Sequence, residues 1–300
     1  MPLARQSSVT LLVTMRRPER AIQRAKLMTD MTKAQLLRLA RDVGRVLIDA
    51  VAAGEVRASR PDAGNNVREL ETKDLDSYRA LVAASLVASM CDGFTATMAV
   101  LRSRGQGHVF SILRSMHESL ADLILLGKDP TYIERIGYAE MQKLTTQLQN
   151  MLHKTHRPAL TPDEKSRVLG ALVDCGRCLK ELRRAGVTGG LEPKRKFERA
   201  GMGQEYRTVY FLLSGFGHNA PGTLAYRHLA ANRSHLQLGK RLDRDTLYAS
   251  VYFACRTLMR AVEQLLHHGI VDEPRARSAV GHAAQKLEVI ERSSQLRRAA

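Results

Sequence analysis

Apolar residues in this chain recur every three or four positions and almost nowhere every second one. From Leu36 through Leu37, Leu39, Val43, Val46 and Leu47 to Val51 they mark one face of a helix. The longest strand-like alternation, Ser8 to Thr14, is too brief to carry a sheet. The residue mix agrees: Trp is absent and aromatics are 5%, while Leu, Ala, Arg and Met recur throughout. Straight-chain residues lose little rotamer freedom in a helix, whereas a β-rich fold needs more aromatic and β-branched residues. The expectation is an all-α chain, a helical bundle of about seven to nine helices.

Caps and breakers place the helices. A short basic helix is expected over Pro18–Met28, and Thr32 caps a second one that Gly54 ends. Arg57–Asn66 (RASRPDAGNN) reads as a linker, which divides a basic N-terminal arm with its helices (1–66) from the main bundle (67–300). A long helix over Lys73–Arg102 stops at Gly105 and Gly107. The next, Val109–Leu126, is apolar around most of its circumference and so belongs at the centre. Asp129-Pro130 starts a helix reaching about His153. Thr161-Pro162-Asp163-Glu164 is a capping box opening another that ends at Gly186. A flexible basic stretch holding Lys194, Arg195 and Lys196 then leads to a helix over Gln204–Phe216. Asp243 caps the next, and Pro274 starts the last. Uninterrupted apolar runs are short, as at Ala80–Ala84, so no bilayer-crossing segment is expected.

The net charge of +17 is unevenly spread. Residues 1–42 hold nine Lys or Arg against three Asp or Glu, and residues 177–244 hold fourteen against five. Focused positive charge concentrates a polyanion, so RNA or another polyanion is the expected partner, with Lys194, Arg195, Lys196 and Arg207 as contacts. Four cysteines are too few for a disulfide scaffold in a chain of this length, which points to the cytoplasm. A homo-oligomer is compatible with everything above; a membrane partner is not expected.

Sequence offers little support for a cofactor. Neither a GxxxxGK[ST] loop nor a GxSxG elbow is present. Cys175-x-x-Cys178 has metal-ligand spacing and His153-x-x-His156 lies upstream. Both pairs fall in or beside amphipathic helices without a knuckle turn, so no metal is expected. Arg-to-His spacings suited to metal-free RNA cleavage occur at Arg102/His108, Arg260/His267, Arg275/His282 and Arg277/His282. In an Arg-rich chain with ten histidines, about three would arise by chance, so spacing alone decides nothing.

Two polar stripes on otherwise apolar helices carry more weight. Arg114, Glu118 and Asp122 stand at i, i+4 and i+8 on one, and Tyr210, Ser214 and His218 on another. Buried polar groups need partners, so the two stripes are expected to face each other. As a site, His218 would move protons, Arg114 or Arg207 would hold phosphate and Glu118 would orient them, while Tyr210 and Ser214 would donate hydrogen bonds. As a lock, the same residues would only fix the bundle of a non-enzymatic interaction protein.

LRSMHESLADLILLGKDP (Leu113–Pro130), followed by YFLLSGFGHNAP (Tyr210–Pro221), resembles a bacterial family of helical proteins known only as a domain of unknown function, of the DUF5677 kind. Its Arg-x-x-x-Glu and Tyr-x-x-x-Ser-x-x-x-His pattern is met by Arg114, Glu118, Tyr210, Ser214 and His218. The resemblance spans roughly residues 75–270. It implies an all-helical fold and this residue set as the candidate site, without an activity. At fold level such proteins are similar to HEPN-type proteins of prokaryotic conflict systems, which suggests a metal-independent ribonuclease.

Overall fold

The computed structural model describes residues 31–53, 75–152, 160–217, 224–225, 228, 241–271 and 273–298. Among them there is no strand, and the chain is all-α. The longer helices are α1 (Lys33–Ala52), α2 (Leu75–Val100), α3 (Val109–Lys128), α4 (Tyr132–Leu152), α5 (Pro162–Arg184), α6 (Pro193–Ala200), α7 (Phe211–Gly217), α8 (Arg244–His267) and α9 (Glu273–Arg298). The helix expected over Pro18–Met28 lies outside the described residues.

Capping chemistry sets three of the starts. Thr32 and Gln35 exchange side-chain-to-backbone hydrogen bonds at the head of α1, and Thr161 and Glu164 do the same at α5. At α8 the Asp243 carboxylate accepts from the Thr246 amide at 2.8 Å. Pro130 was expected inside the first turn of α4 and instead precedes it. The Asp129 carboxylate accepts from the Thr131 amide and hydroxyl, a local turn that delays the helix to Tyr132.

Two compact units divide the chain, and each has its own core. The first comprises residues 1–65, 80–120 and 209–300. In it α1, α8 and α9 pack on one another. Leu36, Val43 and Leu47 of α1 are fully buried, as are Val251, Leu258 and Val262 of α8. The α9 face is mostly small, with Ala276, Ala279 and Ala283 buried, so backbones can approach closely. Phe94 of α2 lies over Gly44 of α1: a Cβ built on Gly44 would stand 2.0 Å from the Phe94 ring. Only glycine fits at that crossing.

Helix α2 departs from the expectation that no segment could span a bilayer. Tyr78–Val100 is long and apolar enough by length and composition, with a mean hydropathy of 1.4. Counting uninterrupted apolar runs missed it, because Ser, Thr and Gly interrupt such runs while lowering the average only slightly. Its inner positions Ala83, Val87, Met90, Phe94 and Met98 are buried in the first unit, and 39% of the span is buried in all.

The second unit comprises residues 66–79 and 121–208. Here α4 and α5 pair antiparallel, with Tyr138 against Leu179 and Val187 at one end and Leu148 against Val168 and Cys175 at the other. The basic stretch at Lys194 is not the flexible connector expected from its charge. It is the opening turn of α6, with Pro193 first in the helix and Gly201 closing it at φ +80°. Phe197, fully buried, anchors this helix, and the Lys128 ammonium donates to the Ala200 carbonyl at its end.

Candidate functional site

Helix α3 carries Arg114 and Glu118 one turn apart, close to the ideal spacing for a pair along a helix. Arg114 Nε donates to Glu118 Oε1 at 2.9 Å. Tyr210 joins them from 92 residues further along, its hydroxyl donating to the same carboxylate oxygen at 2.7 Å. The Arg114 guanidinium also lies over the Tyr210 ring, 5.4 Å from its centre. One carboxylate oxygen thus holds a cation and a phenol, and the phenol ring faces the cation.

Local backbone explains how Tyr210 reaches that position. The chain from Gly203 forms one helical turn and then runs as a π-helix over Tyr206–Tyr210 before α7 begins. Wide π turns rotate the residues that follow and occur often at functional sites. Immediately beyond, Phe216 of α7 stacks on Phe110 of α3 with ring centres 3.9 Å apart, which fixes the two segments together.

Exposure differs across the cluster. Tyr210 is 4% exposed, whereas the side chains of Arg114 and Glu118 are 23% and 33% exposed. Burial, then the hydrogen bond to Glu118, pushes the Tyr210 phenol up to about 12. Burial pulls the Arg114 guanidinium down, but the bond to Glu118 and the nearby Tyr210 and Glu118 outweigh it and leave it raised. Neither group exchanges a proton near neutral pH. Together they make a fixed, partly open cation.

Other members of the expected site are placed differently. Ser214 is half-buried on α7, with no hydrogen bond to Arg114, Glu118 or Tyr210 among the described residues. His218 lies outside the described residues. His117, next to Glu118, turns to the core: it is 3% exposed, and its Nδ1 stands 3.1 Å from the Leu113 carbonyl.

Asp122, third on the α3 stripe, belongs to a separate cluster in the second unit. It accepts from the Tyr132 hydroxyl at 2.5 Å and from Lys196 at 2.9 Å. Arg199 reaches Asp129 at 2.7 Å on the same side of α6. Against the upward pull of burial, Thr131 and Arg199 hold the Asp129 carboxyl below its usual range. Of the basic residues expected to contact a polyanion, Lys194, Arg195 and Arg207 are exposed, while Lys196 is paired with Asp122 and 16% exposed. Sequence reasoning did not separate Lys196 from its neighbours; the Asp122 partner 74 residues away was the missing information.

Only the two cysteines of the candidate ligand set fall among the described residues. Cys175 is buried between α5 and α4, Cys178 is exposed, and His153 and His156 lie outside the described residues. Among the described residues no three His, Cys, Asp or Glu side chains gather as a metal site.

The family model described as "Family of unknown function (DUF5677)" matches residues 80–236, over half of the chain. This chain belongs to that family. The DUF5677 match takes in Arg114, Glu118, Tyr210, Ser214 and His218 together with the whole second cluster, and leaves α1, α8 and α9 outside it. No curated protein and no solved structure matches.

Proposed function

We propose that this DUF5677 protein is a cytoplasmic RNA-binding protein in which Arg114 contacts a phosphate. The observation that supports this reading is the Arg114–Glu118–Tyr210 cluster. A planar guanidinium fixed by a carboxylate and an aromatic face, yet partly open to solvent, is pre-ordered to donate to two oxygens of a phosphate, so less side-chain entropy is lost on contact. The charge of +17 supplies long-range attraction for a polyanion. Cleavage would add a proton-transfer step, and neither Arg114 nor Tyr210 provides one near neutral pH. A metal-independent ribonuclease reading therefore rests on His218.

A second reading has its own support. Glu118 balances the charge of Arg114 and takes the Tyr210 hydroxyl as well, which is what a structural lock in an interaction scaffold requires.

Binding of an unstructured RNA measured across a salt series separates the two. The RNA reading expects affinity to fall with salt, at a log–log slope of about −0.7 per phosphate contact. It expects Arg114→Gln to lower the affinity about tenfold, with Arg114→Lys only partly restoring it. If Arg114→Gln lowers the unfolding midpoint yet leaves RNA affinity and salt slope unchanged, the lock reading stands and the RNA reading falls. Loss of cleavage but not binding in His218→Ala would add the ribonuclease step.

A further inference from the structure

A groove of about 680 Å³ opens on the first unit between α1 and α2, lined by residues that no part of the Arg114 cluster uses. Its rim is basic. Arg38, Arg41 and Arg45 line it from α1, spaced so that all three share one face, and Arg102 closes it just beyond the end of α2. The one acid in the lining, Asp42, is drawn towards Lys286 of α9 at 3.4 Å and stands 4.0 Å from Arg45. Among the described residues no carboxylate pairs with Arg38, Arg41 or Arg102. Like charges one turn apart weaken a helix slightly, so three arginines on one face of α1 with Asp42 alone among them carry a small cost.

The floor is apolar. Ile48, Phe94 and Met98 form it, and Ala99 leaves space where a larger side chain would fill the groove. The Phe94–Gly44 contact fixes the distance between its walls.

We propose that this groove binds a small organic phosphate: a phosphate monoester head carried on an apolar body. Three features of the groove select that class. Its volume falls in the range of about 300–1,000 Å³ typical of small-molecule sites. Four guanidinia against one carboxylate suit a head bearing close to two negative charges, which a phosphate monoester carries and a carboxylate does not. An apolar floor gains from covering by hydrocarbon, which inorganic phosphate lacks. This inference does not rest on the Arg114 cluster, although the groove arginines also contribute to the net charge that the RNA reading invokes.

Calorimetric titration of the full chain with decyl phosphate, kept below its micelle-forming concentration, tests it. Decyl phosphate is expected to bind at least about tenfold more tightly than inorganic phosphate or decanoate, and decyl maltoside is expected not to bind. The exposed-surface variant Arg38→Gln/Arg41→Gln/Arg45→Gln should weaken it at least about tenfold with the fold intact. Ala99→Trp, which adds bulk without changing charge, should weaken it similarly. Equal binding of inorganic phosphate would mean that charge alone acts, and binding of decyl maltoside that the apolar floor alone acts. Either result overturns the proposal, as does a triple-arginine variant that binds decyl phosphate unchanged. Displacement of decyl phosphate by a short unstructured RNA at lower concentration would assign the groove to a polyanion and overturn it too.

Discussion

The Tyr210 hydroxyl and the Glu118 carboxylate meet at 2.7 Å across 92 residues of sequence. Because Glu118 Oε1 also accepts from Arg114, removing its charge disturbs two donors at once. Glu118→Gln removes the carboxylate charge beside the guanidinium and weakens the acceptor of both donors, and should lower stability by about 1–2 kcal/mol. Tyr210→Phe keeps the ring under Arg114 and loses only the hydroxyl, so about 1 kcal/mol is expected. Urea unfolding of both single variants and the double variant should show that the losses do not add. Additive losses would mean that the two residues act independently, contrary to the shared oxygen.

Alkaline pH offers a separate reading of the same contact. The Tyr210 phenol is raised from 10 to about 12, so folding stabilises its protonated form. That contribution is complete below pH 10 and is lost as the pH climbs towards 12. The stability difference between the natural chain and Tyr210→Phe should therefore shrink across that window. A difference that stays constant from neutral pH to pH 12 would contradict the assigned bond.

Periodicity made most of the helices legible, and capping residues placed the starts of α1, α5 and α8, because both are local physics read within a few residues. The meeting of Arg114 with Glu118 was legible for the same reason. Tyr210 could be placed opposite them only by arguing that polar stripes on apolar helices must find partners. Asp122 shows where that argument stops. It stands on the same stripe as Glu118 but pairs with Tyr132 and Lys196, and nothing local distinguishes the two acids. The groove was illegible altogether. Arg38, Arg41 and Arg45 look like any solvated helix face until Gly44 brings Phe94 and the rest of α2 alongside.

Lys196 and its two neighbours should separate in experiment. The Lys196 ammonium is held by Asp122, whereas Lys194 and Arg195 are exposed on α6. Lys196→Gln removes an ion pair that is mostly buried and also shares Asp122 with Tyr132, so a stability loss of about 1–2 kcal/mol is expected. Lys194→Gln/Arg195→Gln should leave the unfolding midpoint within about 0.5 kcal/mol of the natural chain while weakening any salt-dependent RNA binding. An unchanged midpoint for Lys196→Gln would show that the pair does not hold α6.

Gly44 and Gly137 should respond to alanine with opposite signs. Both lie inside long helices, where glycine is about 1 kcal/mol less favourable than alanine. At Gly137 in α4 an added Cβ meets nothing within 4 Å, so Gly137→Ala should realise that gain, about 0.5–1 kcal/mol. At Gly44 the same Cβ would lie 2.0 Å from the ring of Phe94, which is 3% exposed and would have to shift to admit it. Overpacking of this kind costs about 1–3 kcal/mol and outweighs the propensity gain. Gly44→Ala should thus be destabilising in urea unfolding, and adding Phe94→Leu should recover part of the loss by shortening the side chain at the crossing. If Gly44→Ala instead stabilises the chain as Gly137→Ala does, α1 and α2 do not approach as closely as the Phe94 contact requires, and the groove between them loses its fixed wall.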